Sequence, residues 1–343
     1  MTSASWGMML VVTMNAIFFH AMPRFSRPDI LFAVTVPDAF VAGAGRTLVS
    51  RYRAIAWSGA AAALAILLLL PALLPGSREG ALLMMSVVAG HMIVALAAWL
   101  WAHRKVRAHA VPPSDVRVAS LVPRDTSLPG GALFAVGPFA ILLATALLVS
   151  RYRVDTPDGP GTIKSFGPLA VGAVFVAMML TMAASMARRT RQIAVDGPAA
   201  AAERRFRRAN VLVLVLTGYA MAIMLSATTV ESIPAFGDAL SSRVWFVLLP
   251  VMLFNFGVVF WMFRVGQGGQ RAVAPAARQE VHGDATPDHA WKVGGLFYFN
   301  PRDSAIWVEK RFGLGYTLNM GNSRAWMLIG MMLAFMVAAR FLF

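Results

Sequence analysis

Runs of roughly 17 to 25 mainly apolar residues recur along the chain, and nothing limits its fold more, because a segment of that length and polarity spans a bilayer. Inside hydrocarbon every backbone N–H and C=O must find its partner within the segment, which selects helices. Eight such runs are read, at 6–22, 54–74, 80–101, 132–149, 167–187, 211–230, 244–263 and 323–343. Composition agrees: 58% of residues are hydrophobic and 14% charged, against about 25% charged in soluble domains. The expected fold class is an all-α polytopic membrane protein of about eight transmembrane helices. Its expected parts are a seven-helix membrane region over 1–264, a flexible cytoplasmic linker over 265–290, a cytoplasmic hairpin block over 291–322 and a last transmembrane helix over 323–343. The run at 6–22 has no basic residue before it, so it is read as a span, not a cleaved leader.

Lys and Arg collect on the cytoplasmic side of spanning segments. The loops at 23–53, 102–131, 188–210 and 264–324 hold twenty-five of the thirty-one basic residues, and the alternate segments hold six. That asymmetry predicts both termini outside, with every rich loop in the cytoplasm. The net charge of +15 is therefore read as topology plus attraction to anionic headgroups, worth about 1 kcal/mol per nearby cation. A nucleic-acid partner is not expected, since the basic runs lack a recognition motif and lie against the bilayer. The absence of cysteine excludes disulfides, thiolate metal sites and cysteine nucleophiles.

One stretch fits neither helix nor basic linker: WKVGGLFYFNPRDSAIWVEKRFGLGYTLNMGN, residues 291–322. Residues 296–300 and 305–309 are β-prone and flank Pro-Arg-Asp-Ser, which predicts one hairpin with its turn at 301–304. Asn322 or Ser323 suits the N-cap of the final helix. Two roles are open to the block. It folds as a lid over the helix ends through Trp291, Phe297, Tyr298, Phe299 and Trp307, or it presents a ligand or partner face of Trp291, Tyr298, Asn300, Asp303, Lys310, Arg311 and Asn319. In the second case Lys310 and Arg311 face an anion, on a surface whose aromatic and Arg content suits binding.

Intramembrane polar residues are the other candidates, because burying them is costly. His91 lies mid-span after Gly90, and Asn255 shares the 244–263 run with Pro250, which removes a backbone bond and kinks the helix. A matched carboxylate for His91 is not found at its depth, so a neutral, singly bonded histidine competes with a proton or ligand site. His282 and His289, with Asp284 and Asp288 between them, have loose metal spacing in a stretch of linker composition, and no metal site or cofactor is expected. GQGGQR at 266–271 lacks the lysine of a phosphate loop.

Four passages resemble a family of bacterial multi-spanning proteins carrying domains of unknown function numbered 1648 and 5808: PDILFAVTVPDAF with SRYR in the first loop, LVPRDTSLPGGALFAVGPFAILL at 121–143, GQGGQR, and above all the closing block, which is similar to the 5808 domain. The 1648 pattern is degenerate, since RYRVDTPDGPGTIKSFGPL contains no Pro-His-Trp or Pro-His-Phe element. The resemblance extends distantly to SdpI-type membrane proteins of toxin immunity and signalling. It implies a bacterial inner-membrane protein and a non-enzymatic sensor, immunity or signalling role that engages a protein partner through the cytoplasmic face. The residues keep two alternatives open: a transporter or membrane-embedded enzyme with a cavity near His91 and Asn255, or an accessory subunit of a larger membrane complex.

Overall fold

The computed structural model describes residues 3–74, 77–113, 126–152, 162–188, 197–231, 233, 251, 253–254, 257–258, 260–261, 264–273 and 284–342. Helices dominate: α1 (Ser3–Ala21), the short α2 (Asp38–Ala42), α3 (Ala44–Leu73), α4 (Arg78–Arg107), α5 (Gly131–Tyr152), α6 (Thr162–Ala187), α7 (Gly197–Glu231) and α8 (Ser323–Leu342). Among the described residues six helices, α1 and α3 to α7, are long and apolar enough to cross a membrane. That is fewer than the eight runs expected. The run at 244–263, with Pro250 and Asn255, lies largely outside the described residues, and α8 is a helix of twenty residues whose described apolar part is shorter.

Several helices outrun their apolar segments. α3 begins at Ala44 and α7 at Gly197, both inside stretches read from sequence as loops. Alanine and arginine are strong helix formers, so the helix continues once the chain leaves hydrocarbon. At 1.5 Å per residue, the 35 residues of α7 reach about 50 Å, well beyond a hydrocarbon core of about 30 Å.

The chain divides into two compact units. The first, residues 1–117, 279–299 and 308–317, is built on α1, α3 and α4. Small residues point inward: Ala16 of α1, Ala56, Ala60 and Ala63 of α3, and Ala95, Ala98 and Ala102 of α4 are buried, while Ile66, Leu68, Leu69, Leu82, Leu83 and Ile93 are exposed. Small inside and large outside is the pattern of helices that pack closely in lipid. Val12, Leu67 and Met84 complete that core, and α1 is tied to α3 by the Tyr52 hydroxyl donating to the Phe19 carbonyl at 2.8 Å.

The second unit, residues 118–278, 300–307 and 318–343, is built on α5 to α8 around Leu142, Val149, Leu169, Val176 and Ala222. Tyr219 of α7 donates to the Phe134 carbonyl of α5 at 2.6 Å.

Among the described residues three two-stranded sheets lie outside the long helices: β1 (Ile30–Leu31) with β2 (Val34–Thr35), β3 (Trp291–Lys292) with β4 (Phe297–Tyr298), and β5 (Trp307–Glu309) with β6 (Tyr316–Leu318). The single hairpin expected between 296–300 and 305–309 is replaced by two. Positive φ is supplied at Gly294 and Gly295, and again at Gly313 and Gly315, so the chain reverses at those glycines and the Pro-Arg-Asp-Ser turn links the hairpins. The β1–β2 hairpin, within a stretch read as loop, reverses through Phe32 and Ala33 with φ of 46° and 66°, a two-residue turn with positive φ at both positions made without glycine.

Candidate functional site

Within the first unit, three segments far apart in sequence meet at Arg311. Glu309, at the end of β5, and Arg311, just past it, are buried, with Lys310 half-buried between them. Arg311 takes Asp284 in a two-pronged grip, Nε to Oδ2 at 3.0 Å and Nη2 to Oδ1 at 2.9 Å, and its Nη1 also reaches Asp288. It donates further to the Ala33 carbonyl at 3.0 Å and the Thr286 carbonyl at 2.7 Å. A fork of fixed donors matched to carboxylate and carbonyl oxygens is what guanidinium supplies and ammonium does not.

The acids are held in turn. Asp284 accepts from the Thr286 amide at 3.0 Å and from its hydroxyl, and that hydroxyl accepts from the Trp291 indole at 2.8 Å. Asp288 accepts from the Thr35 hydroxyl at 3.1 Å. The Trp291 ring lies 5.4 Å from the guanidinium carbon and 5.1 Å from the ring of Tyr298, so the inner face of β3–β4 packs on the charge. Burial alone would raise the Asp284 pKa, but the Arg311 charge, its hydrogen bonds and those of Thr286 outweigh this and hold it at about 2. Burial would lower the Arg311 pKa, and Asp284 and Asp288 instead hold it above its ordinary value. Burial pushes Lys310 down.

A second buried pair runs alongside, Arg27 to Glu309 Oε2 at 3.2 Å, with the Ser26 hydroxyl donating to the Arg311 carbonyl at 2.9 Å. The tips of β1–β2 and β3–β4 touch: a Cβ on Gly295 would stand 2.2 Å from that of Ala33. Both seat on the end of α4, where the Trp99 indole donates to the Gly294 carbonyl at 2.8 Å and the His103 ring meets the Phe32 carbonyl at 2.8 Å.

The second unit holds a separate polar cluster centred on Asn319. Its amide oxygen accepts from the Asn300 and Gly321 amides, both at 3.0 Å, and its nitrogen donates to the Asn300 and Asp303 carbonyls, both at 2.9 Å. All its amide bonding capacity is used. Gly321 approaches so closely that a Cβ would lie 2.5 Å from the Asn300 carbonyl carbon. Asp303 accepts from the Ala305 amide at 3.0 Å. Asn322 caps α8, accepting from Arg324 N at 2.9 Å and donating to the Ser304 carbonyl at 2.9 Å. Pro301, Arg302 and Ser304 stand exposed at the turn these bonds fix.

Of the residues singled out as a face, Trp291, Tyr298, Asp303, Arg311 and Asn319 are buried, and Asn300 and Lys310 are half-buried. Trp291, Tyr298, Lys310 and Arg311 belong to the first unit, and Asn300, Asp303 and Asn319 to the second. Within the stretch 265–290 read as a linker, Asp284 and Thr286 are buried, held by Arg311. Asp284 and Asp288 serve that arginine, His289 lies beside them in sequence, and His282 is outside the described residues. His91 is buried in α4, with neither ring nitrogen hydrogen-bonded among the described residues.

Sequence reading missed Thr35, Thr286 and the Arg27–Glu309 pair. The available signal was a Glu-Lys-Arg run that begins at the last residue of the apolar β-prone stretch 305–309. A family of unknown function, DUF5808, matches residues 301–326, which include Asp303, β5–β6, Asn319 and the first turn of α8. Neither the curated proteins nor the solved structures contain a match.

Proposed function

We propose that this is a non-enzymatic membrane protein of the sensor, immunity or signalling kind, which engages a protein partner through the 301–304 turn. In this reading the chain crosses the bacterial inner membrane eight times with both termini outside, and the turn faces the cytoplasm. The observation that carries it is the division of labour in the block. Its polar side chains are spent on one another, around Arg311 and around Asn319, while Pro301, Arg302 and Ser304 are held rigid and exposed. Rigid presentation lowers the ordering cost of binding, and an exposed Arg is a good anchor for a partner. The resemblance of the first-loop and 121–143 passages to the 1648 domain and to SdpI-type proteins favours immunity or signalling.

A photo-crosslinking amino acid at position 302, used in native membranes, tests the proposal. It predicts a discrete adduct with a second protein, lost when Asn319→Ala releases the turn. A chain that stays uncrosslinked while folded would sink it.

A transporter or membrane-embedded enzyme is the second reading, favoured by the buried His91 facing Gly59 of α3. A Cβ at Gly59 would lie 3.7 Å from the histidine Nδ1. If His91→Ala leaves both stability and cellular phenotype unchanged, that reading goes. An accessory subunit of a larger complex is the third, and co-purification in mild detergent separates it from the first by stoichiometry.

A further inference from the structure

The β3–β4 hairpin has two unlike faces. Register pairs Trp291 with Tyr298 and Lys292 with Phe297; the first pair is buried against Arg311, and the second is exposed. Along the outer side Val293 is 52% exposed, Phe297 47% and Phe299 47%. Val293 is also held at φ 49°, a conformation that costs a β-branched residue roughly 1–2 kcal/mol. The turn sets that φ, with the Gly295 amide donating to the Lys292 carbonyl at 3.2 Å across Val293 and Gly294, and the valine side chain is left half-exposed. A chain in water gains nothing from two phenylalanines and a strained valine displayed together.

Position supplies the reason. The tip of this hairpin is fastened to the end of α4: Trp99 donates to the Gly294 carbonyl, and a Cβ on Gly294 would meet Leu100 at 2.6 Å. Leu100 continues the outward stripe of Ile93 and Ala97, at helical spacing, and that stripe is on the helix face offered to lipid. Arg104, Lys105 and Arg107 follow, all exposed, the first only about 6 Å beyond Leu100 along the helix. The hairpin tip therefore sits where the apolar span gives way to a basic collar, at the depth where aromatic residues anchor to a bilayer and lysines reach outward to headgroups.

We propose that the outer face of β3–β4 is an interfacial membrane anchor: Val293, Phe297 and Phe299 lie in the headgroup–acyl boundary, and Lys292 with the α4 collar binds anionic lipid phosphates. The occupant is a lipid surface and not a protein, because the patch is continuous with the lipid-facing stripe of α4 and its charges are all basic. The anchor fixes the height of the Arg311 cluster above the membrane.

The chain has no cysteine, so single-site labelling is direct. Phe297→Cys, Phe299→Cys and an aqueous control, Arg302→Cys, are labelled with a nitroxide in the full chain and reconstituted in vesicles of phosphatidylcholine with phosphatidylglycerol. The anchor predicts, at 297 and 299, collision with oxygen favoured over a water-soluble nickel reagent by at least about threefold relative to 302, with depth parameters inside the headgroup boundary. Because the labelled side chains are exposed, the fold tolerates them. A bimane at 297 should also be quenched by brominated lipid and be insensitive to protein concentration. Nickel accessibility at 297 and 299 equal to that at 302 overturns the proposal. Protection that grows with protein concentration, without lipid quenching, overturns it in favour of contact with a second protein.

Discussion

Removing the Arg311 guanidinium would leave Asp284 fully buried and without its counter-charge. Breaking a buried pair from one side costs about 3–5 kcal/mol, so Arg311→Met is expected to destabilise the first unit by that amount in a thermal unfolding measurement in detergent. Arg311→Lys should recover only a small part of it, because an ammonium cannot reproduce the two-pronged bond to Asp284 together with those to Ala33 and Thr286. Acid acts on the same bonds. The Asp284 pKa is held at about 2, below its ordinary 3.8, so its contribution is fully present above the ordinary value and is lost as pH falls through about 2. Protection of the amides across 284–299, taken relative to their intrinsic exchange rate at each pH, should stay high at pH 5 and fall as pH approaches 2. Asn319 is the matching residue in the second unit: Asn319→Ala deletes four hydrogen bonds and strands two carbonyls and two amides, which predicts a loss of about 3 kcal/mol, with Asn319→Asp recovering the acceptor half only.

At the scale of elements, the two hairpin tips meet with no room to spare. Gly295→Val should separate β3–β4 from β1–β2, since the added carbon falls 2.2 Å from the Ala33 Cβ, and the segment 26–36 should become protease-sensitive while α3 and α4 remain folded. What the sequence disclosed of these elements followed from local rules. The long helices were legible because apolar length alone specifies them, and the Asn322 cap because capping is local. The hairpin pairing was not. Residues 296–300 and 305–309 are both strand-like, and choosing the partner of β4 depended on which glycines take positive φ and on Asn319 clasping the 301–304 turn from nineteen residues beyond Asn300. The β1–β2 hairpin carried no turn signal either, since Phe32 and Ala33 stand where glycine or asparagine usually would; the aromatic packing of Phe32 against Tyr52 and Trp99, with ring centroids 5.1 and 5.0 Å away, holds that turn instead.

Among the described residues, the first unit turns small side chains inward and large apolar ones outward, the second packs around Leu142, Leu169 and Val176, and polar side chains gather around Arg311 in the first and around Asn319 in the second. The charge asymmetry further predicts that an impermeant maleimide reaches Arg302→Cys only from the cytoplasmic side and Ser77→Cys only from the opposite side. Distant parts of the sequence could be read as separate pieces, but their joining at Arg311 could not, since nothing in Asp284 or Asp288 announces a partner more than twenty residues away. The most direct test of that joining is amide hydrogen exchange on the full chain in detergent, comparing wild type with Arg311→Met. Slow exchange is expected at 26–36, 284–299 and 308–312 in the wild type, with all three segments released together in the variant. Fast exchange across 284–299 in the wild type, or a change confined to the neighbours of residue 311, would contradict the account.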